Sequence, residues 1–497
     1  MKQILFSLSL LVLTLTACKK DDTPEPEILT AGPDQIVFAL SANNELIKLN
    51  AKTPGTNISK TAVTGIVSGE KLISIDFRPA TGELYALSNA SKLYIVNTTT
   101  TAARVVGSAA FTPAISGTIA AIDFNPTVDR VRLVTNSGQN LRLNPETGTV
   151  AATDANLNGP ASPMVTAIAY TNSKAGAATT TLFNIDAVAG KLYKQEPPNN
   201  GTLVEIGSLG ATSNTQAGFE IMANNTALAT IGNNFYSIDV ATGKASKIGN
   251  TSETFIDIAI PTEAVAYGVD LANNLLIFNP AGIAGGVVSK AITGLQVAEN
   301  IYGIDFRPLN GQLYALGSSS RLYTINLSSG VATMVGVGAF ASPLVGTDFG
   351  FDFNPTVDRI RVVSNTGQNL RLNPIDGTIA ATDAVLNPGV PVVTSAAYTN
   401  NFAGATTTQL FVIDHTTDRL YLQNPPNNGT LVDVGPLGVN IDNNNGFDIG
   451  STSGNAFLIA TVGGTTNLYT VNTTSGTVSG ATIFPMAVKG MSVGLGF

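Results

Sequence analysis

The charged residues of this chain recur in fixed pairs. Asp76 and Arg78 stand two apart in the segment Ile-Asp-Phe-Arg-Pro, and Asp305 and Arg307 repeat the arrangement in the second half of the chain. Residues two apart on a β-strand face the same side of the sheet, and an unpaired charge buried there is costly. We therefore expect a paired carboxylate and guanidinium at a strand end or, alternatively, a polar ring that lines a central channel.

A second charged segment, Asp-Phe-Asn-Pro-Thr-Val-Asp-Arg, occurs in both halves. In the first half it contains Asp123, Asp129 and Arg130. Asn-Pro starts a turn, and an aspartate can cap the backbone within it. Salt bridges between neighbouring structural units are the simpler interpretation, and recognition of an anion by the planar fork of arginine is the alternative. The corresponding residues of the second half are Asp352, Asp358 and Arg359.

The polar side chains around the segment Gly-Gln-Asn-Leu-Arg-Leu-Asn-Pro are the candidates for ligand binding. Their amides offer hydrogen-bond donors and acceptors without charge, and the segment occurs twice; a repeated structural hairpin is the alternative. The candidate residues are Asn136, Gln139, Asn140, Arg142 and Asp154 in the first half, and Asn365, Gln368, Asn369, Arg371 and Asp383 in the second.

Asp154 also begins a segment, Asp-Ala-Asn-Leu-Asn-Gly, that is similar to the start of a calcium loop, in which oxygen ligands alternate along the chain. An EF-hand requires a carboxylate at the twelfth position, where Val165 stands. The second copy, which begins at Asp383, lacks one ligand and the glycine. The sequence therefore predicts no metal site here.

Residues for catalysis are scarce. His415 is the only histidine, and Ala187 stands at its place in the first half, which excludes a zinc or copper site built on several histidines. The only cysteine, Cys18, lies near the N-terminus. Paired carboxylates could still hydrolyse a glycosidic bond, but no pattern selects a pair. We predict no catalytic residue, cofactor or metal, and expect a non-enzymatic protein.

Short apolar runs separated by turn residues must position these side chains. Segments of the type small-Ile-Asp-Phe begin near Ile75, Ile122, Ile168, Phe219 and Ile256, a spacing of roughly 40 to 50 residues that is typical of one propeller blade. Each is followed by further short runs rich in β-branched and aromatic residues, which favour strands. The sequence predicts an all-β protein of two tandem β-propellers, each of about five four-stranded blades; a single ten-bladed propeller is the alternative.

The ends of each half predict how the propellers close. The first run, 37–40, lacks a preceding inner strand, whereas each half ends on a spare one, at 255–260 and 491–497. A last strand that completes the first blade removes an exposed sheet edge. We place the first propeller repeat at 34–262 and the second at 263–497.

The N-terminal segment predicts export and lipidation. Residues 1–18 combine Lys2, a short apolar run and the sequence Leu-Thr-Ala-Cys, which resembles a bacterial lipobox that ends at Cys18. The charged residues that follow resemble the export tag of surface lipoproteins in the Bacteroides group, and residues 19–33 form a flexible tether. We therefore expect an outer-membrane lipoprotein on the cell surface of a Gram-negative bacterium, held to the membrane by its lipid.

The composition excludes one class of partner. The formal net charge is −8 and the pI is about 4.8, so the chain lacks the basic surface that nucleic acids attract. Charged residues make up only 12% of the chain, whereas glycine accounts for 49 residues. That composition is typical of short strands joined by tight turns. We expect no nucleic-acid partner.

With these motifs, residues 35–497 resemble two copies of a bacterial domain-of-unknown-function family, number 4394. The shared segments are the three repeated motifs described above. The resemblance implies a secreted, all-β protein and carries no activity and no catalytic residue. We interpret the protein as a lipid-anchored envelope propeller that binds or scaffolds an unknown protein or glycan; the alternative is an extracellular hydrolase or lyase that uses channel carboxylates.

Overall fold

The computed structural model of the chain describes residues 29–159, 163–214 and 216–497, which form an all-β protein. The only helices among these residues are short 3-10 helices at Pro198–Asn200, Ile283–Gly285 and Pro426–Asn428. Lipidation at Cys18, the signal segment and most of the tether lie outside the described residues. In the described part, no helix has the length and apolar character needed to cross a membrane.

The strands of the first half are short and follow one another closely. They are β1 (Ile36–Leu40), β2 (Glu45–Asn50), β3 (Asn57–Ala62), β4 (Leu72–Phe77), β5 (Leu84–Ser88), β6 (Lys92–Val96), β7 (Ala103–Val105), β8 (Ala120–Asn125), β9 (Arg130–Thr135), β10 (Asn140–Leu143), β11 (Val150–Thr153), β12 (Ala167–Tyr170), β13 (Leu182–Asp186), β14 (Lys191–Gln195), β15 (Leu203–Ser208), β16 (Gly218–Ile221), β17 (Ala227–Ile231), β18 (Asn234–Ile238), β19 (Ala245–Asn250) and β20 (Asp257–Ala259).

The second half repeats the pattern. Its strands are β21 (Ala266–Asp270), β22 (Asn274–Phe278), β23 (Val288–Ala291), β24 (Ile301–Arg307), β25 (Gln312–Gly317), β26 (Arg321–Ile325), β27 (Ala332–Val335), β28 (Phe349–Asn354), β29 (Arg359–Ser364), β30 (Asn369–Leu372), β31 (Ile379–Thr382), β32 (Val393–Tyr398), β33 (Leu410–Asp414), β34 (Arg419–Gln423), β35 (Leu431–Pro436), β36 (Asn445–Ile449), β37 (Ala456–Val462), β38 (Thr465–Val471), β39 (Val478–Ile483) and β40 (Val488–Val493).

Each half folds into five antiparallel sheets of four strands, which are the blades of a propeller. The innermost strands of the first half, β4, β8, β12, β16 and β20, contact one another in turn around an axis. The innermost strands of the second half, β24, β28, β32, β36 and β40, do the same. The prediction of two tandem five-bladed β-propellers is confirmed.

The last strand of each half completes the first blade of that half. β20 pairs with β1, so that Ala259 lies opposite Phe38, and β40 pairs with β21, so that Val493 lies opposite Ala266. A single ten-bladed ring would need β40 beside β1, and that pairing does not occur. Each propeller therefore closes within its own half, as the spare strands at the sequence ends indicated.

Neighbouring blades pack through aromatic rings that recur in both halves. Tyr85 meets Phe124 edge to face with ring centroids 5.0 Å apart, and Tyr314 meets Phe353 in the same way at 5.1 Å. Such pairs contribute roughly 0.5–1.5 kcal/mol beyond the area they bury. Each tyrosine hydroxyl also donates to a backbone carbonyl of the next blade, Tyr85 to that of Pro145. The motif residues thus fix the angle between blades.

The two propellers contact each other through the loops that follow β4 and β24. Arg78 Nη1 donates to Gly311 O at 3.2 Å, and Gly496 N donates to Thr81 O at 2.8 Å. A side chain at Gly82 would collide with the ring of Phe497, so glycine permits this close approach. The loops between first and second strands therefore face the partner propeller, and the loops between second and third strands face away from it.

Candidate functional site: axial carboxylates, arginine clusters and an inter-propeller cleft

Four carboxyl groups lie on the innermost strands of the first propeller. They belong to Asp76, Asp123, Glu220 and Asp257, each exposed by 5% or less. Oxygen atoms of the first three lie within 4.8 Å of one another. The remaining innermost strand, β12, carries Ala169 at the corresponding position. We call these four acids the first axial cluster.

The second propeller has three such acids and one hydroxyl. Oxygen atoms of Asp305, Asp352 and Asp448 lie within 4.8 Å of one another, and all three residues are buried. Ser492 stands where Asp257 stands in the first propeller, and its Oγ donates to Asp305 Oδ1 at 2.7 Å. We call these four residues the second axial cluster.

The axial carboxylates accept hydrogen bonds from the backbone of the next blade. Asp76 accepts from Phe124 N at 2.7 Å, and Asp305 accepts from Phe353 N at 2.7 Å. An innermost strand has no strand neighbour on its axial side, so its buried N–H groups need another partner. The same kind of bond runs from Ile75 N to Asp257, Tyr170 N to Asp123, Tyr398 N to Asp352 and Val493 N to Asp448.

Burial raises the pKa of the axial acids, because it removes the water that stabilises the charged form. Burial raises the pKa of Asp76 to about 7 and that of Asp257 to about 8, well above the usual value near 4. Burial raises the pKa of Asp448 to about 7. For Asp123, Glu220, Asp305 and Asp352, burial and then repulsion between neighbouring carboxylates raise the pKa well above its usual value.

We predict that the protein loses thermal stability as the pH rises from about 5 to about 8. The folded protein holds protons that an unfolded chain, whose carboxyl pKa values lie near 4, has already released, so rising pH favours unfolding until the folded pKa is passed. Calorimetric Tm values across this range test the prediction, and a wild-type Tm that rises between pH 5 and 8 would contradict it.

A matched pair of variants assigns the effect to the axis. Asp257→Asn keeps an oxygen that can accept from Ile75 N but has no titrating proton, so the Tm should change less with pH than in the wild type. Asp239→Asn, in an exposed turn, should leave the slope of Tm against pH unchanged. Equal slopes for wild type and Asp257→Asn would show that the proton uptake lies elsewhere.

Arg78 and its repeat do not pair with the aspartate two residues earlier. Arg78 lies beyond the end of β4 and binds Asp129, with Nε donating to Oδ1 at 2.9 Å, while Asp76 faces the axis. Arg307 binds Asp358 in the same way at 2.8 Å. The expected pair of Asp76 with Arg78 is therefore wrong: each residue pairs with the neighbouring blade instead. Arg130 and Arg359 donate to the backbone carbonyls of Asp129 and Asp358.

A buried arginine joins the third and fourth blades of the first propeller. Arg132 is 2% exposed and donates to Asn140 Oδ1 at 2.8 Å, to Asp154 Oδ2 at 2.6 Å and to Asn199 Oδ1 at 2.7 Å. Arg142 adds a two-bond contact to Asp154. Burial works to raise the pKa of Asp154, but the hydrogen bonds from the two arginines outweigh it and lower that pKa.

The second propeller repeats this arrangement with the same geometry. Arg361 donates to Asn369 Oδ1 and to Asp383 Oδ2, both at 2.7 Å, and Arg371 makes the two-bond contact to Asp383. We call the two sets the arginine clusters. They bring together six of the candidate ligand-binding residues, but their hydrogen bonds already join one blade to the next.

The remaining candidate amides hold the linker that enters their blade. Asn136 Oδ1 accepts from Thr118 N at 3.0 Å, and Gln139 Oε1 accepts from Ser116 N at 2.9 Å. Asn365 and Gln368 make the corresponding bonds in the second propeller. These side chains lie in the loop between the second and third strands of their blades, and their acceptor oxygens are occupied by backbone N–H groups. Binding of a ligand by them stays a prediction.

We predict that Arg132→Met destabilises the first propeller by about 3–5 kcal/mol, because it leaves Asp154 and Asn140 buried without their shared donor. Arg142→Met is the matched control: it removes a guanidinium from the same carboxylate, but from a side chain that is 33% exposed, and should cost no more than about 1 kcal/mol. Urea unfolding followed by tyrosine fluorescence measures both. Equal losses would show that burial does not set the cost.

A cleft of about 470 Å³ lies between the propellers. The first propeller contributes the third and fourth strands of its second blade, with Thr98 and Arg104 at the edge. The second propeller contributes Phe402, Thr452 and the C-terminal Leu495. Arg104 braces the opening, since its Nη1 donates to Leu309 O at 2.5 Å across the interface. We call this the inter-propeller cleft.

Three axial acids escaped the sequence analysis although the signal was present. Glu220, Asp257 and Asp448 each occupy the second position of a recurring inner-strand segment, which is the position of Asp76. Their segments lack the Asp-Phe-Arg-Pro motif, so only their shared position on the innermost strands relates them to Asp76. The repeat gave no indication that Phe402 lines a site, because Lys174 stands at the matching position of the first half.

The fold and these sites define a tandem β-propeller protein with a buried carboxyl cluster on each axis. The chain belongs to the family described as Domain of unknown function (DUF4394), whose sequence pattern matches residues 45–259 and 274–492. The tandem pair of family domains inferred from the motifs is therefore confirmed. A comparison with curated proteins gives no match.

Two solved structures similar to the chain are crystal structures of extracellular domains from B. thetaiotaomicron. One, of a one-component system, is 10% identical with a TM-score of 0.27, over 91% of this chain and 65% of that chain. The other, of a hybrid two-component system, is 11% identical with a TM-score of 0.27, over 90% and 65%. The chain thus matches less than two thirds of either structure's length, and at this TM-score the likeness carries no argument.

Proposed function

We propose that this protein is a lipid-anchored β-propeller of the bacterial cell envelope that binds an extracellular protein or glycan in the inter-propeller cleft and does not transform it. The cleft carries the proposal. Its volume of about 470 Å³ falls in the range of ligand pockets, which favour domain interfaces and combine apolar walls with a few polar groups. Half-buried Phe402 supplies an aromatic face, and Thr98 and Thr452 supply hydroxyls.

The burial of the acidic groups supports binding over catalysis. Hydrolysis by paired carboxyls needs both groups at a cleft where a substrate bond can lie between them. Asp76, Asp123, Asp305, Asp352 and Asp448 are each exposed by 3% or less. Each of these carboxylates accepts a hydrogen bond from a backbone N–H of the next blade. Asp448 also accepts from Ile449 N on its own strand. They serve the fold.

Location follows from the N-terminal segment. Lipidation at Cys18 would join the chain to the outer membrane, since acyl chains contribute roughly 0.8 kcal/mol for each buried CH₂. The first described residues lie at the outer edge of the first propeller, where Thr30 N donates to Lys247 O at 2.7 Å. The described end of the tether therefore contacts the fifth blade of the first propeller. The acidic chain has no nucleic-acid partner in this proposal.

We predict that Phe402→Ala weakens ligand binding at the cleft at least tenfold, because the aromatic wall is lost. Two probes serve: the fluorescent aromatic sulfonate ANS, and surface polysaccharides or lipopolysaccharide immobilised for interferometry. Lys174→Ala changes the matching position of the other propeller's loop and should bind as the wild type does. Binding that is unaffected by Phe402→Ala would remove the cleft from the proposal.

We predict that Cys18→Ser releases the protein from the membrane fraction, because the thiol that would carry the lipid is absent. Fractionation of cells, with protease treatment of intact cells, measures both anchoring and exposure. Wild-type protein should pellet with the outer membrane and be cleaved from outside. Wild-type protein that stays soluble or resists protease in intact cells would contradict anchoring or surface exposure, respectively.

A second candidate, an extracellular hydrolase or lyase, is favoured by one observation. Glu220 lines a cleft of about 560 Å³ at the end of the first propeller, with Lys48, Ser173 and Glu263 at its walls. Burial, followed by repulsion from Asp76 and Asp123, raises the pKa of Glu220, and a protonated carboxyl can act as a general acid. Turnover of an extracellular polysaccharide that Glu220→Gln abolishes and Asp448→Asn preserves would establish this function instead.

A further inference from the structure

A small cavity lies at the axis of the second propeller. Its volume is about 10 Å³, close to the roughly 10–15 Å³ that one water molecule needs. Its walls include Ile304, Phe351, Phe447 and Met491, which immediately precede Asp305, Asp352, Asp448 and Ser492 in the sequence. The cavity is therefore next to the second axial cluster along the innermost strands, although its lining does not include the four cluster residues themselves.

One polar group in this cavity has no partner. Ser395 is 5% exposed, its side chain lines the cavity, and its Oγ makes no hydrogen bond among the described residues. A buried hydroxyl without a partner costs about 1–3 kcal/mol. Glycine occupies the matching position on neighbouring innermost strands, and a side chain at Gly446 would come within 2.7 Å of the backbone of Gly490 and Met491. A hydroxyl is therefore retained in the one place on a crowded axis where it fits.

The first propeller lacks this feature. Ala167 stands at the place of Ser395. The buried hydroxyl of Ser74 is fully used, since Ser74 Oγ donates to Asp257 and accepts from Ile122 N. Above this layer, Gln216 Nε2 donates to the carbonyls of Ile73 and Ala120 and so covers the axis. The polar groups of the first axis satisfy one another.

The second axis offers oxygen ligands. Lys489 also lines the cavity, and its ammonium lies over the ring of Tyr302 and 3.9 Å from Asp348 Oδ1. Three carboxylate oxygens lie within 4.8 Å of one another, which suits a central ion with bonds of about 2.3–2.6 Å, the range of Ca²⁺. Ser492 adds a hydroxyl to the cluster. Mg²⁺ prefers shorter bonds of about 2.0–2.1 Å and keeps several of its waters, for which the cavity has no room.

We propose that the second propeller binds one Ca²⁺ on its axis, held by Asp305, Asp352 and Asp448, with a water in the adjacent cavity that joins the ion to Ser395. The ion compensates the three carboxylates, and the water gives Ser395 Oγ its missing partner. The innermost strands of all but one blade are then tied to one centre. This site is separate from the inter-propeller cleft and does not depend on the function proposed for it.

Metal analysis of the full chain tests the proposal. After exhaustive dialysis against buffer without added metal, the wild type should retain about one Ca²⁺ per chain, and EDTA should lower its Tm. Asp352→Asn should lose the ion, because an amide lacks the charge while its oxygen can still accept from Tyr398 N. Asp123→Asn, the same change in the first propeller, should retain it. A wild type without stoichiometric Ca²⁺, or loss of Ca²⁺ in Asp123→Asn alone, would overturn the proposal.

A second variant keeps the test decisive if Asp352→Asn fails to fold. Ser395→Ala introduces the residue that the first propeller already has at this position, so folding should be preserved. Loss of an outer-shell partner typically weakens metal binding 10–100-fold, and we expect the Kd for Ca²⁺, measured by calorimetry after EDTA treatment, to rise at least tenfold. An unchanged Kd would remove Ser395 and its water from the site.

Discussion

The unpaired inner edge of each blade is the constraint on which this structure depends. A propeller brings five such edges together around one axis, away from bulk water, and every N–H group there needs an acceptor. The chain supplies one carboxylate on seven of the ten innermost strands. The carboxylate of one blade accepts from the backbone of the next, as Asp76 does from Phe124 and Asp352 from Tyr398. The ring closes through these bonds as well as through strand pairing.

This solution has an electrostatic consequence. Acidic acceptors on converging innermost strands place several carboxyl groups within a few ångströms of one another. The acids must therefore hold protons or a cation, and their pKa values rise because they are buried. At the junctions between blades, by contrast, the buried charges are paired. Arg132 and Arg361 are buried there with acidic and amide partners that accept from nearly every N–H donor of each guanidinium.

The fold was predictable because its signals are local and repeated. Blade spacing, turn residues and the spare strands at 255–260 and 491–497 sufficed for the number of blades and their closure. The pairing of individual side chains was not predictable, since Arg78 binds Asp129 of the next blade and not Asp76, which lies two residues earlier. That choice depends on where β4 ends, which the alternation of residue types does not determine. Asn136 and Gln139 lie in the loop between the second and third strands of their blade, but the linker whose backbone they bind is distant in sequence.

The two propellers share their repeated motifs and arginine clusters, and some of their differences fall at the axis and at the interface. Ser395 corresponds to an alanine of the first propeller, Phe402 to a lysine, and Asn444 to the glutamine that covers the first axis. Asn444 is one methylene shorter and contacts Asn443 instead of the inner-strand carbonyls. The second axis therefore lacks the cover that Gln216 gives the first, and it is the axis on which we propose the calcium site.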